Sequence, residues 1–186
     1  TGNLEIKAGQ FIQYGDILSG YSVRCNNISV EDGNVNGEIT TKRGRIDVKN
    51  NVNSGRLVAQ NGIIRVAGIV SMNSYVESIG GDIIVETVEN STLIGRNISV
   101  QSCVNSIIVG ETIKIEKIQS SKILGISIVI EDSEESTKTG ERTDIIIPVL
   151  EIADKRIRAI SHVLDEKKKA HDQIEEKLKK MKENKI

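Results

Sequence analysis

The sequence predicts a mainly β protein, in which a three-sided parallel β-solenoid is followed by a long C-terminal coiled-coil α-helix. Three observations lead to this fold class. Aliphatic residues recur at a fixed interval, Asn and Gly punctuate the intervals, and a heptad pattern begins after the only proline. Internal repeats of this kind determine the whole architecture of a chain. The predicted domains are residues 1–147 for the solenoid, with a charged loop at 131–142, and residues 148–186 for the helix.

The aliphatic interval is longer than the period of a single helix or of a single strand. Three consecutive intervals make up one repeat, which predicts one three-sided turn of a solenoid. The series at intervals of six is Ile46, Val52, Val58, Ile64, Val70 and Val76, and the series at intervals of five runs from Ile83 to Ile128. The aliphatic pairs that we align between turns are Leu4/Ile6, Ile28/Val30, Ile46/Val48, Ile64/Val66, Ile83/Val85, Ile98/Val100, Ile113/Ile115 and Ile128/Ile130.

Residues between the aliphatic positions fit the corners of such a solenoid. Asn and Gly tolerate a positive φ, which a sharp turn between strands requires. Asparagines stacked from one turn to the next are also expected to form hydrogen bonds along the axis. With 2% aromatic residues and no Trp, the core must be aliphatic. The corner residues are Asn26, Asn27, Asn50, Asn51, Asn61, Gly62, Gly80, Gly81, Asn90, Gly95, Asn97, Asn105, Gly110 and Gly125.

The pattern changes after Ile130. Residues 131–142 are polar and predict a surface loop, residues 143–147 predict a last strand with Ile145 and Ile147 inward, and Pro148 suits the first turn of a helix. Spacings of three and four then form a heptad seam, which predicts a homo-oligomer through this helix. The seam residues are Leu150, Ala153, Ile157, Ile160, Leu164, Lys167, His171, Ile174, Leu178 and Met181.

The sequence offers no constellation typical of a catalytic, cofactor or metal site, so we predict a non-enzymatic protein. A left-handed β-helix acyltransferase is the remote enzyme alternative, but it needs a surface His as base. The only histidines, His162 and His171, both lie on the predicted helix. His171 on the seam favours a polar position that fixes the helix register, with a pH switch as the alternative. Cys25 and Cys103 fall at inward positions and are interpreted as small core residues rather than redox groups.

Charge gives little indication of a nucleic-acid or membrane partner. The net charge is −1, and no run of about 18 apolar residues is present, so we expect protein partners, no nucleic acid and no membrane insertion. Two charged stretches are interpreted as solvated, although a cation or a basic partner would suit the first, and RNA or lipid the second. They are Glu131, Asp132, Glu134 and Glu135 in the loop, and Lys177, Lys179, Lys180, Lys182 and Lys185 on the helix.

The segments NISVEDGNVNGEITTKRGRIDV, GGDIIVETVENSTLIGRNISV and GETIKIEKIQSSKILG, followed by a charged heptad helix, resemble the bacterial FapA family over about Leu4 to Met181. Bactofilins and the C-terminal domain of the division inhibitor MinC share the repeat pattern, but the long helix favours FapA. The resemblance implies a right-handed parallel β-helix, a cytoplasmic location and a supporting role in flagellar or cell-pole assembly. This sequence departs from the family pattern, in which a separate domain precedes the first turn and a returning helix and a closing strand follow the long helix. Two expectations remain open: the sequence is a piece of a longer protein, or the helix pairs with a second copy of the chain. The alternative architecture is a bactofilin-like polymer whose solenoid ends stack into filaments.

Overall fold

The computed structural model of the chain describes residues 2–7, 9–133 and 142–148. This part of the chain forms one sheet in which every strand pair is parallel. The predicted parallel β-solenoid is thereby confirmed. The fourteen strands are β1 (Asn3–Glu5), β2 (Gln10–Gln13), β3 (Ser22–Arg24), β4 (Asn27–Val30), β5 (Glu38–Thr41), β6 (Arg45–Val48), β7 (Val52–Asn53), β8 (Arg56–Ala59), β9 (Ile63–Ser71), β10 (Tyr75–Glu89), β11 (Thr92–Val104), β12 (Ile107–Gln119), β13 (Lys122–Ser133) and β14 (Asp144–Ile146).

Each turn of the solenoid, here called a rung, crosses three faces. Face A contains β1, β3, β5, β8, the first parts of β10 to β13, and β14. Face B contains β2, β4, β6, the start of β9 and the middle parts of β10 to β13. Face C contains β7, the isolated bridges of Ile17 and Val35, and the last parts of β9 to β13. The early rungs use separate short strands for each face, and the later ones use long strands that continue around the corners.

The core is a set of aliphatic columns that run along the solenoid, because register partners on adjacent rungs point the same way. Each buried aliphatic side chain contributes roughly 1.5–3 kcal/mol relative to leaving it in water. The inward columns are Val23, Ile39, Leu57, Val76, Leu93, Ile108 and Ile123 on face A; Ile28, Ile46, Ile64, Ile83, Ile98 and Ile113 on face B; and Ile17, Val35, Val52, Val70, Val88, Cys103 and Ile118 on face C. The series at intervals of five is buried at every member from Ile83 to Ile123, as predicted.

The predicted alignment of the first rung is wrong. Leu4 pairs with Val23 on face A, and the residue in register with Ile28 on face B is Phe11. The interval from Leu4 to Ile28 therefore joins two different faces, and the interval from Phe11 to Ile28 is the one that spans a single turn. The prediction fails here because Leu4 and Ile6 form an aliphatic pair like those on face B, and the true partner is aromatic.

The inward position of Val58 is also wrong. Leu57 and Ala59 are fully buried, and Val58 between them faces outward in register with Thr40 and Glu77. Because side chains alternate along a strand, a shift of one residue reverses the direction of every side chain. The corners absorb the difference, so the true spacing around this rung is not a constant six.

Glycines serve the corners between faces A and B through close approach rather than through positive φ. A Cβ on Gly62 would overlap with the carbonyl oxygen of Gly44 one rung away, and a Cβ on Gly81 would overlap with that of Gly62. Neither glycine has a positive φ. Of the predicted corner residues, only Asn90 and Asn105 adopt one, so the predicted reason is wrong for the glycines.

Asparagine side chains link successive rungs, as predicted. The Asn105 amide donates to the Asn90 side-chain oxygen at 2.5 Å. At the corner between faces B and C, the backbone N–H of Asn51 donates to the Asn34 side chain at 3.2 Å, and the N–H of Ile69 donates to the Asn51 side chain at 2.9 Å. The bonds to the Asn34 and Asn51 side chains satisfy backbone donors where the strand ladder is interrupted.

A column of buried serines closes the corner between faces C and A. The N–H of Ser91 donates to Oγ of Ser106 at 3.2 Å, and the N–H of Ser106 donates to Oγ of Ser121 at 3.1 Å. Each of these hydroxyls in turn donates to a carbonyl oxygen within its own rung, at 2.7 Å for Ser106 to Val104 and 2.8 Å for Ser121 to Gln119. The serine column, Ser74, Ser91, Ser106 and Ser121, therefore satisfies buried N–H groups from rung to rung.

We expect Ser106→Ala to lower the free energy of unfolding by about 1–3 kcal/mol, because the substitution leaves the buried N–H of Ser91 without its acceptor. Denaturant unfolding monitored by far-UV circular dichroism measures the change. Ser99→Ala is the matched control, since Ser99 is exposed on face B of the same rung. Equal stability of the two variants would contradict the role of the column.

The end of the solenoid differs from the predicted loop. Residues 131–133 belong to β13, so the strand continues past the predicted start of the loop. In β14, Ile145 pairs with Ile123 of the inward column, as predicted, although it is half-exposed. Ile147 follows the strand and is exposed, so its predicted inward position is wrong.

Candidate interaction surfaces

The outward side of face A is divided into a polar and an apolar half. Two neighbouring ladders of register partners run along this side of the face. The first ladder is Glu38, Arg56, Tyr75, Thr92, Ile107, Lys122 and Asp144. The second ladder is Thr40, Val58, Glu77, Ile94, Val109, Leu124 and Ile146. Up to the rung of Tyr75 these positions are mostly charged or polar. In the later rungs they are mostly aliphatic, and we call Ile94, Ile107, Val109, Leu124 and Ile146 the apolar patch.

The polar half is a connected network. The Nε atom of Arg56 lies 3.6 Å from Oε1 of Glu38, and its guanidinium carbon lies 4.5 Å from the centre of the Tyr75 ring. The Tyr75 hydroxyl donates to Oε2 of Glu77 at 2.7 Å. That hydrogen bond, more than the partial burial of the ring, raises the pKa of Tyr75 above its ordinary value. These contacts fix the orientation of the side chains, and the network borders the apolar patch on one side.

The apolar patch is exposed where it extends furthest along the solenoid. Ile107, Leu124 and Ile146 are 46%, 37% and 54% exposed, and Ile94 and Val109 are partly buried between neighbouring side chains. Contiguous apolar surface of this kind marks an interaction site more often than scattered exposed residues do. Sequence reasoning missed it, although the regular spacing of Ile94, Val109 and Leu124 along the sequence is its signal.

The first rung carries a second apolar surface, beside β1 and β2. Leu4 is 43% exposed although its position belongs to the inward column of face A. It lines a cavity of about 400 Å³ together with Phe11, Leu18 and Tyr21. The outer edges of β1 and β2 are unpaired in the described residues, which is the situation in which strands recruit further strands.

Of the predicted acidic stretch, Glu131 and Asp132 lie among the residues that the structure describes. Glu131 lies 3.0 Å from the ammonium of Lys114 on the neighbouring rung. The hydrogen bond to Glu131 raises the pKa of Lys114. Asp132 is in register with Lys117, and Glu134 and Glu135 lie outside the described residues. Among residues 2–7, 9–133 and 142–148, no three His, Cys, Asp or Glu side chains stand close enough to hold a metal ion.

Both cysteines are buried core residues, as predicted. Cys103 occupies the inward column of face C, and burial raises its pKa to about 11 despite a hydrogen bond to Ser121. The Cys25 thiol lies 3.5 Å from the carbonyl oxygen of Gly9. Since the thiolate is the reactive form, the raised pKa of Cys103 disfavours redox chemistry and nucleophilic attack by this side chain.

The predicted oligomerisation seam lies wholly outside the described residues, from Leu150 to Met181, and so do His162, His171 and the C-terminal lysines. Pro148 is the last residue that the structure describes. In the described ranges, no helix is long and apolar enough to cross a membrane.

The fold and its surfaces define the chain as a parallel β-solenoid protein. Comparison with models of protein families, with curated proteins and with solved structures found no match. The function must therefore be argued from the surfaces of the solenoid and from the sequence.

Proposed function

We propose that the chain is a non-enzymatic scaffold similar to FapA, in which the faces of a right-handed solenoid present ladders of side chains to protein partners in the cytoplasm. The observation that carries this proposal is the division of face A into an ordered polar network and an exposed apolar patch. A rigid backbone with regular side-chain ladders suits recognition of other proteins, because little conformational entropy is lost on binding. From the resemblance to FapA, we propose that the chain acts in flagellar or cell-pole assembly.

A deletion of the gene in its host tests the proposed role. Loss of flagella by electron microscopy, with recovery on re-expression of the chain, is the expected result. Re-expression of a Val109→Glu variant should restore fewer flagella than the original chain, because the charge enters the apolar patch. Normal flagella and normal polar structure in the deletion strain would contradict the role.

We propose that residues 148–186 form a coiled-coil helix, and that the chain forms a homo-oligomer through the seam of this helix. We expect Leu164→Asp to lower the mass in sedimentation, since a charged residue at a seam position opposes helix pairing. The far-UV β signal should be retained because the solenoid does not contain this residue. Glu166→Asp, one of the non-seam positions of the same heptad, is the matched control. An unchanged mass for Leu164→Asp would argue against oligomerisation through the helix.

A bactofilin-like polymer is the second candidate, favoured by the exposed Leu4 and the cavity at the first rung. Stacking of solenoid ends would cover these residues and pair the free edges of β1 and β2. Electron microscopy of the purified chain decides between the two. Long unbranched filaments would favour the polymer, and Leu4→Glu should then abolish them. Discrete particles of one size would favour the scaffold.

A further inference from the structure

A polar groove runs along the corner where face A turns into face B, and we call it the corner groove. Its cavity volume is about 490 Å³. It extends from Asn27 on one rung to Asn97 four register steps further on, a length of about 19 Å at the spacing of stacked strands. The groove is therefore long enough for about six residues of an extended chain.

The bottom of the corner groove carries no side chains at three stacked positions. Gly44, Gly62 and Gly81 line it, and a Cβ on each would overlap with a backbone carbonyl oxygen one rung away. Because only backbone lines the groove here, the main chain of a ligand can approach closely. The Asn61 side chain lies across the position that a Cβ on Gly80 would occupy. Its amide offers both a donor and an acceptor to such a main chain.

Positive charge predominates in the corner groove. Arg43, Arg45 and Arg96 line it, and Asp82 is the acidic residue beside them. Arg45 forms an ion pair with Asp47. Within the described part of the chain, Arg43 and Arg96 form no ion pair. Both are exposed, so their guanidinium groups are available to an anionic ligand.

The distance between these two arginines fits an extended peptide. Arg43 lies on the rung of Arg45, and Arg96 lies on the rung of Asn97, three register steps or about 14 Å further on. In an extended chain, side chains four residues apart point the same way and lie about 13 Å apart. Two carboxylates with this spacing would therefore reach both arginines. A guanidinium group can bind a carboxylate through two parallel hydrogen bonds.

Asp82 lies between the two arginines and favours spaced over continuous negative charge. It lies one rung before Arg96, and the amide of Asn97 donates to its Oδ1 at 2.8 Å. A peptide can present a neutral residue to this carboxylate, whereas a single-stranded nucleic acid brings a phosphate at every nucleotide. None of the side chains that line the groove is aromatic, so bases would find no stacking platform. Both arguments favour an acidic peptide over a nucleic acid.

We propose that the corner groove binds an extended acidic segment of a partner protein, with carboxylates four residues apart at Arg43 and Arg96. The inference goes beyond the proposed function, because it assigns a surface outside face A and the chemistry of its ligand. Exposed ion pairs are weak and are screened by salt, so the affinity is low and falls as the ionic strength rises.

Titration of the full chain with short peptides, followed by the NMR signals of the arginine Nε–H groups, tests the site. The probe is Gly-Asp-Ser-Gly-Ser-Asp-Gly with blocked termini, whose aspartates are four residues apart. At low ionic strength it should shift the signals of Arg43 and Arg96, and bind about tenfold more tightly than the same peptide with asparagine in place of aspartate. The rearranged peptide Gly-Ser-Asp-Asp-Ser-Gly-Gly should bind about threefold more weakly than the probe, because its carboxylates cannot reach both arginines.

Variants of the chain separate the groove from the general charge of the surface. Arg43→Gln and Arg96→Gln should each weaken binding of the probe about threefold, and together about tenfold. Arg65→Gln is the matched control, with the same loss of charge at an exposed position of face B outside the groove, and should change binding by less than about 1.5-fold. Asp82→Asn should instead tighten binding about twofold, since it removes a repelling carboxylate while the new side chain can still accept from Asn97.

Three results would overturn the proposal. They are equal binding of the aspartate and asparagine peptides, unchanged signals of Arg43 and Arg96 on addition of the probe, and tighter binding of hexauridylate than of the probe, which would assign the groove to RNA. The titration uses the purified chain, so its outcome does not depend on the effect of the gene deletion on flagella. Failure of the corner groove and failure of the proposed function are therefore distinguishable.

Discussion

An Ile98→Asp variant should lose its cooperative unfolding transition, or unfold at a much lower denaturant concentration than the original chain. Ile98 lies between Ile83 and Ile113 in the inward column of face B and is 3% exposed. A carboxylate at this position has no partner in an aliphatic interior, so it must be desolvated or protonated on folding. We expect a loss of at least about 4 kcal/mol, a large share of the roughly 5–15 kcal/mol that stabilises a typical domain. Denaturant unfolding followed by far-UV circular dichroism measures it.

Ser99→Asp is the control for this variant. Ser99 is the next residue along the strand, faces outward on face B and is in register with Lys114. The same charge at this position should change stability by less than about 0.5 kcal/mol. If Ile98→Asp and Ser99→Asp unfolded together, the assignment of inward and outward positions in β11 would be wrong.

A Gly62→Ala variant should lose about 2–3 kcal/mol of stability and melt at a temperature lower by roughly 5–10 °C. The added methyl group would overlap with the carbonyl oxygen of Gly44 on the adjacent rung. Since this neighbour is backbone, the corner must shift as a whole, and Ser78, whose hydroxyl donates to the Gly62 carbonyl at 2.7 Å, must shift with it. Differential scanning calorimetry measures the change.

Gly2→Ala serves as the comparison for Gly62→Ala. There the nearest atoms to an added methyl group belong to the half-exposed ring of Tyr21, which can move aside. Both substitutions reduce the entropy of the unfolded chain equally, so their difference reports the backbone overlap. A Gly62→Ala variant as stable as Gly2→Ala would contradict the close stacking of this corner.

The solenoid and most of its core could be predicted from the sequence because an inward column repeats one chemical type at a nearly fixed interval. Ile98 and Ile113 are therefore recognisable without coordinates. The prediction fails where the interval varies or the residue type changes. Leu57 points inward in place of Val58 because the corners differ in length. Phe11 is missed because it is aromatic, whereas every other member of its column is aliphatic.

Corner chemistry is harder to predict than the core. The close approach at Gly62 depends on the spacing between rungs, which the residue type alone does not reveal. The serine column leaves a visible signal, since an Asn-Ser dipeptide recurs at Asn73-Ser74, Asn90-Ser91 and Asn105-Ser106. A polar residue at a buried corner is not expected from hydrophobic periodicity, because that pattern records only apolar positions.

The candidate surfaces are predicted least well. Sequence reasoning places the interaction site on the helix seam from Leu150 to Met181, which lies outside the described residues. It misses the apolar patch because the outward direction of Ile94, Val109 and Leu124 depends on register. Once the rungs are aligned, these residues form one row that Ile146 continues.

The distance between nitroxide labels at Ile12→Cys and Lys114→Cys, measured by pulsed electron paramagnetic resonance, tests the stacked architecture most directly. Both positions are exposed on the outward side of face B and are separated by six steps of register. The register partners between them are Ser29, Asp47, Arg65, Ile84 and Ser99. In samples diluted with unlabelled protein, the stacked rungs predict one narrow distribution of label distances, centred at about 29 Å before the length of the label side chains is added. A broad distribution centred at about 55 Å, as expected for about 100 residues of unpaired chain, would contradict it.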